Sequence, residues 1–493
     1  MRRSGILMHI SSLPSPYGIG TMGEEAYRYV DFLKDAGQSY WQILPINQTS
    51  YGDSPYQSFS AFAGNPYFID LDTLCEEGYL TKEECHSYQW GDDEEAIDYA
   101  TLYENRYALF HEVYTEFQEN IPFDYDYFCE AQKEWLDDYA LFMALKDAHG
   151  GISWQEWEPE LKRRDASVIE AAVSEHIESI RFWKMIQYLF FRQWNALKAY
   201  ANEQGIRIIG DVPIYVAADS ADVWTNPSQF YLDKELNMID VAGCPPDAFS
   251  ADGQLWGNPL FNWSNMESDD YAWWTKRIAY VAKLYDIVRI DHFRGFESYY
   301  AIPAKAKTAA SGKWRKGPGV KLFKRLEEKL GKLQIIVEDL GFLTDEVTQM
   351  VSDSGYPGMK VIQFAFDSRE SGDYLPHNYD KHCVVYTGTH DNDTILGWFD
   401  KAPEECVAYA VEYLRLNKEE GYHWGMMKSV WASTGELAIV TMQDLLGLGS
   451  EARMNIPSTI GTNWKWRMKK GLASKELAKK VYKNMAVYQR VNE

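Results

Sequence analysis

The chain has 493 residues, 46% of them hydrophobic, and a formal net charge of −24. That apolar content is enough for a large core and excludes a disordered chain. The acidic balance excludes nucleic acid and anionic membrane as main partners, since both require a basic surface.

The N-terminal MRRSGILMHISSLPSP carries an apolar run broken by His9 and then by prolines, too short for the core of a signal peptide. From there the spacing predicts short apolar strands alternating with helical segments. The strands are GILMHIS from Gly5, YWQILPI from Tyr40, IRIIGDVPIYV from Ile206, IVRID from Ile287, QIIVED from Gln334, MKVIQFAF from Met359, CVVYTGTHDN from Cys383 and LAIVTMQDL from Leu437. Near-continuous apolar runs are what parallel strands buried on both faces require. Helical periodicity falls between them, as in EEAYRYVDFLKDAG, RFWKMIQYLFFRQWNALKAYANEQG, YAWWTKRIAYVAKLYD and VKLFKRLEEKLG. Eight βα units predict an α/β fold, a (β/α)8 TIM barrel with inserted subdomains between its strands. A doubly wound open sheet would show G-x-G-x-x-G after the first strand, and SSLPSPYGIGTMG lacks that spacing.

Two segments are too long for loops. Residues 71–178, rich in Glu, Asp, Tyr and Trp, predict a mostly helical insertion after strand two. Residues 217–270, rich in Pro, Gly, Asn and Trp, predict an irregular insertion after strand three. The barrel is then assembled from 1–70 and 179–493, with a final helix from about Ser474. No apolar run is long enough for a membrane span. The six cysteines, Cys75, Cys85, Cys129, Cys244, Cys383 and Cys406, are scattered without a C-x-x-C pair, which predicts neither a zinc site nor a disulfide framework and fits a reducing cytoplasm. Aromatic residues make up 15%. Most serve a core of this size; the sharper use is stacking on pyranose rings.

Acids recur where strands end: Asp211, Asp291, Glu338 and Asp391. A single acid there is explained by an ion pair or a helix N-cap. Four at one barrel mouth would repel one another and separate their pKa values, so that one carboxyl can act as an acid while another stays ionised. That suits glycosidic bond cleavage with retained configuration. Arg289 lies two positions before Asp291, on the same strand face, where its charge favours the ionised carboxylate. By the same alternation His292 points away. A divalent metal is the rival use of such a cluster, but His9, His292 and His390 are isolated and form no H-x-H or H-x-x-E-H pair, so no metal is expected.

RIDHFRGF, IVEDLG and GTHDND, in this order, resemble the catalytic regions of the α-amylase superfamily. With SSLPSPYGIGTMG, YGDSPYQSFSAFAGNPYFIDLD, GDVPIYVAADSADVW, PPDAFSADGQLWGNP and NWKWR the chain resembles, from residue 11 to 467, the 4-α-glucanotransferases (amylomaltases or disproportionating enzymes) of glycoside hydrolase family 77. The resemblance implies Asp291 as the nucleophile forming a β-glucosyl-enzyme, Glu338 as general acid/base and Asp391 as transition-state stabiliser. It implies Asp211, Arg289, His292, His390 and Tyr56 around the donor sugar, and Asn463 and Trp464 near the acceptor. It also implies a lid over the cleft carrying Trp256 and beginning at Asp247, no cofactor, and α-1,4-glucans, maltooligosaccharides and glucose as partners of a cytoplasmic monomer or homodimer. An α-amylase-type hydrolase shares every step up to the glucosyl-enzyme, and a non-catalytic glucan-binding protein is the third possibility. Two positions depart from the family pattern: Ala251, followed by Asp252, where an acid is expected, and Ser458 in RMNIPST, where glycine is expected. Structural alternatives exist for several residues: Tyr56 as core packing, Trp256 as loop anchor, Asn463 as turn former and His390 as an orienting group. A second glucan groove around Tyr51 competes with ordinary packing of the insertion's aromatics.

Overall fold

The computed structural model describes residues 2–50, 52–246, 252–341, 343–367 and 372–492. Twelve strands are found among them: β1 (Arg3–Leu7), β2 (Tyr40–Gln42), β3 (Arg207–Val212), β4 (Asp240–Cys244), β5 (Gln254–Pro259), β6 (Ile287–Ile290), β7 (Ser298–Pro303), β8 (Lys313–Lys316), β9 (Ile335–Val337), β10 (Gly358–Val361), β11 (Cys383–Tyr386) and β12 (Leu437–Thr441). Eight of these pair in parallel in the order β10-β11-β12-β1-β2-β3-β6-β9. They are the eight expected strands in chain order, a (β/α)8 barrel whose open seam lies between β9 and β10. The seam is bridged rather than laddered: Val337 N–H donates to Pro357 O at 3.0 Å and Met359 N–H to the Asp339 carboxylate at 2.7 Å. A Cβ on Gly358 would lie 2.3 Å from that carboxylate, so this close approach requires glycine.

The barrel strands bury almost every side chain, as parallel strands covered by helices must. The helix Ile177–Glu203 buries Trp183, Ile186, Phe190, Trp194 and Leu197, spaced three and four apart along one stripe. Each such side chain contributes about 1.5–3 kcal/mol. The closing helix Lys475–Val487 is capped by Ser474, whose hydroxyl accepts from Leu477 N–H. Among the described residues no helix is long and apolar enough to cross a membrane.

Between β2 and β3, residues 71–178 hold the helices Tyr99–Glu119 and Tyr125–Ala148 with several shorter ones. The segment 217–270 departs from the expected irregularity. It contains β4 and β5, which pair with β7 and β8 in an antiparallel sheet of order β5-β4-β7-β8 with a small core of its own at Val241, Tyr300, Ile302 and Ala309. The local pattern hides these strands because Gly243, Gly257 and Pro259 interrupt them and β8 is the charged Lys-Trp-Arg-Lys edge strand. The β4–β7 pairing also joins residues about sixty apart in the chain, which no periodicity records.

Candidate active site

Strand register builds the site. Asp211 on β3 lies level with Arg289 on β6, and Ile290 on β6 level with Val337 on β9. Asp291 follows the end of β6 and Glu338 the end of β9. Each is held one rung further by its backbone, Asp291 N–H to Val212 O at 3.0 Å and Glu338 N–H to Ile290 O at 2.9 Å. Both acids therefore stand at the C-terminal rim of the barrel, where barrel active sites are found.

Arg289 Nη1 donates to Asp211, which is fully buried, and to Asp291 at 3.1 Å, whose side chain is 28% exposed. The guanidinium serves two carboxylates rather than Asp291 alone. Burial pushes the Asp291 carboxyl well above the usual range, Arg289 pulls it back, and Asp211, Glu338 and Asp391 push it up again. Glu338 is also raised by burial, against Arg289 and two N–H donors. Its two oxygens accept from His292 N–H at 2.8 Å and Leu340 N–H at 2.7 Å.

His292 does not point away. The strand ends before it, its φ is 51°, and the chain turns into a short 3-10 helix over 293–296. Strand alternation stops at that left-handed residue, so the imidazole meets Trp256 edge to face with ring centres 4.8 Å apart. A non-glycine residue in the left-handed region is strained and marks an imposed geometry. Burial drops His292 to about 3, so its ring is neutral at ordinary pH.

On the opposite wall, Tyr56 stacks on His390 at 5.0 Å, and Trp464 adjoins both rings at 5.8 Å. The Tyr56 hydroxyl donates to Asp211 at 2.7 Å, tying this wall to the Arg289 pair. His390 is held below its ordinary pKa by burial and lies 3.4 Å from Asp391. Tyr56, Trp256, Asp291, His292, His390, Asp391, Asn463 and Trp464 line one cleft of about 370 Å³. Arg289, Asp211 and Glu338 stand behind that lining. Asp247, Ala251 and Tyr51 lie outside the described residues.

Asn463 occupies the cleft wall but uses its side-chain amide within the loop. Its oxygen accepts from Ile456 N–H at 3.0 Å and its nitrogen donates to Thr459 O at 3.0 Å. The turn-forming alternative describes these contacts. We predict that Asn463→Ala loosens residues 456–462, costs about 1–2 kcal/mol of stability and raises the KM for maltotriose while leaving kcat within about twofold; thermal melting and initial rates check this. Ser458, in the same loop, has φ 65°, the backbone state for which glycine is suited, so the turn keeps its shape at the cost of local strain.

Sequence reasoning missed Asn455. Its amide donates to Asp391 Oδ1 at 2.6 Å, and Arg453 donates both to Asp391 O at 2.6 Å and to Asn455 O at 2.8 Å. The signal was present in RMNIPST, but nothing local shows that the segment returns to Asp391. Gln57 and Asn258, which bond each other at 3.1 Å and join the Tyr56 loop to β5, were missed for the same reason. Among the described residues no three His, Cys, Asp or Glu side chains are grouped as metal ligands. One carboxyl against a guanidinium, a second raised by burial and a third on the facing wall form a set able to cleave and re-form an acetal bond.

A family model of 4-alpha-glucanotransferases, glycoside hydrolase family 77, matches residues 8–473. The chain is 53% identical to the 4-alpha-glucanotransferase of Clostridium butyricum over 98% of this chain and all of the relative. It is 48% identical to that of Thermus thermophilus over 96% of each. Among solved structures, an amylomaltase from Streptococcus agalactiae in complex with acarbose superposes with TM-score 0.97 at 42% identity, covering both chains fully.

Proposed function

The chain belongs to the 4-alpha-glucanotransferases of glycoside hydrolase family 77 and transfers α-1,4-glucan segments between glucan chains; we propose that it does so by double displacement through Asp291. Asp291 attacks the anomeric carbon to form a β-glucosyl-enzyme while Glu338 protonates the departing glycosidic oxygen. Glu338 then takes the proton from the 4-hydroxyl of an acceptor glucan or glucose, which displaces Asp291 and restores the α configuration. Asp391, with Asn455 and His390 beside it, stabilises the donor ring as positive charge develops. Tyr56 and His390 form the stacking wall for that ring, and Asp211 holds Arg289 in place.

The observation that carries this assignment is the Asp211–Arg289–Asp291 ion triad set one strand from Glu338, whose carboxyl burial makes harder to ionise. A retaining mechanism needs an ionised nucleophile and a protonated donor; burial raises both carboxyls, and the geometry separates them, since Arg289 donates directly to Asp291 while the Glu338 oxygens accept from backbone N–H groups. Maltotriose is the decisive substrate: the expected products are a ladder of longer maltodextrins plus glucose. Glucose and maltose without longer products would instead identify a hydrolase.

Transfer requires that water reach the glucosyl-enzyme less readily than sugar does. Trp256 on β5, against His292 beside the nucleophile, is the group we assign to water exclusion, with 217–270 as the lid-bearing segment. Trp256→Ala is therefore expected to raise the hydrolysis-to-transfer ratio severalfold, seen as reducing sugar formed per unit of ladder product. Six free cysteines support work in the cytoplasm. We propose a monomer or homodimer, which sedimentation equilibrium resolves.

A further inference from the structure

Resting on the assignment of Asp291 as nucleophile, we infer that Met359 is a positioning residue for the reaction, its thioether orienting Arg289 toward Asp291 and its backbone fixing the strand end that carries Glu338. Met359 lies on β10, the strand across the barrel seam from β9, and is 1% exposed. Its sulfur accepts from Arg289 Nε at 3.5 Å. Its N–H donates to the carboxylate of Asp339, the residue after Glu338, at 2.7 Å. One residue therefore touches the counter-ion of the nucleophile and the neighbour of the acid/base.

The chemistry of the acceptor matters. Arg289 is buried, so a donor left unpaired there is costly. A carboxylate at Nε would meet that need, but as a third anion it would compete with Asp291 for the cation's field. A thioether is a weak, neutral acceptor. It fixes the plane of the guanidinium and leaves the charge to Asp211 and Asp291. Simple packing is the competing explanation, since methionine fills irregular core space well.

Two substitutions separate these explanations. Met359→Leu conserves volume and removes the acceptor. Met359→Gln supplies an amide oxygen to Nε but buries a polar group, which lowers stability. Packing predicts that Leu behaves as the parent and Gln is worse; the acceptor role predicts that Gln retains more kcat than Leu despite melting lower. In the Leu variant we expect kcat on maltotriose to fall about tenfold, the scale of a hydrogen bond lost from a charged group, with KM little changed. The acid limb of kcat/KM should move to higher pH, because a misaligned Arg289 depresses the Asp291 pKa less. A Leu variant with the parent's kcat, or one whose kcat falls without movement of the acid limb, overturns the inference; so does a folded Gln variant less active than Leu. Should Gln fail to fold, the Leu profile alone decides. If Asp291→Asn is inactive while Met359→Leu is unaffected, only this inference falls; if Asp291→Asn retains turnover, the mechanistic assignment falls with it.

Discussion

Asp291→Asn is expected to abolish transfer: kcat on maltotriose should fall by at least about 10⁴-fold, the scale on which loss of a covalent nucleophile is felt, while the fold is kept. The amide has nearly the same shape and can still accept from Arg289, so the ion triad loses a charge without losing its geometry. Glucan binding survives, because the cleft walls at Tyr56, Trp256 and His390 do not depend on the charge of Asp291. Rapid quench with an activated donor such as a maltosyl fluoride should show covalent labelling of the parent and none of the variant. Turnover near the parent's would remove Asp291 from the chemistry. Loss of turnover with loss of folding is separated by the melting curve.

Glu338→Gln is expected to cost about 10²–10⁴-fold with maltotriose, the range of general acid–base catalysis. The loss depends on the leaving group. Fluoride departs without a proton, so a maltosyl fluoride should still form the glucosyl-enzyme, which then accumulates because its breakdown needs the base. Azide requires no deprotonation and should release that intermediate as an α-glycosyl azide. The pH profile carries the same information. The acid needs Glu338 protonated, and its pKa is raised by burial, so activity falls on the alkaline side as Glu338 ionises. The assigned nucleophile must be ionised, and burial with three neighbouring acids raises Asp291, so activity falls on the acid side at a pH above the ordinary carboxylate range. Burial holds His292 at about 3 and lowers His390 as well, so the two limbs are assigned to the carboxyls. In Glu338→Gln the alkaline limb disappears and the acid limb remains; a profile retaining both limbs removes Glu338 from the role.

Much of the barrel could be read from residue order because its constraints are local. A parallel strand covered on both faces writes itself as an apolar run, and β1, β3, β6, β9, β11 and β12 were visible for that reason. The acids at their ends were conspicuous because a charge beside such a run is costly without a use. What could not be read depends on distance in sequence. The β4–β7 pairing joins residues 240–244 to 298–303, and Asn455 meets Asp391 across 64 positions. His292 was misdirected because alternation was carried one residue beyond the strand, into a left-handed turn that a single non-glycine residue does not announce. Asn463 could be located in the cleft wall but not interpreted, since the same amide can bind a sugar or close a loop, and only coordinates show its hydrogen bonds within the loop.

The small antiparallel sheet gives the cleft a mechanical property. Trp256 rides on β5, β5 is laddered to β4, β4 to β7, and β7 begins seven residues after Asp291. Trp256 itself sits where the β4–β5 ladder shifts register; from its neighbours Leu255 and Pro259 the path runs over paired backbone through β4 and β7 to the tight turn after Asp291. Such a linkage ties the position of the strand that carries Trp256 to the stretch that follows Asp291, so a displacement of one strains the other. A one-residue slip between β4 and β7 is therefore expected to disturb the turn after Asp291 as well as the Trp256 wall.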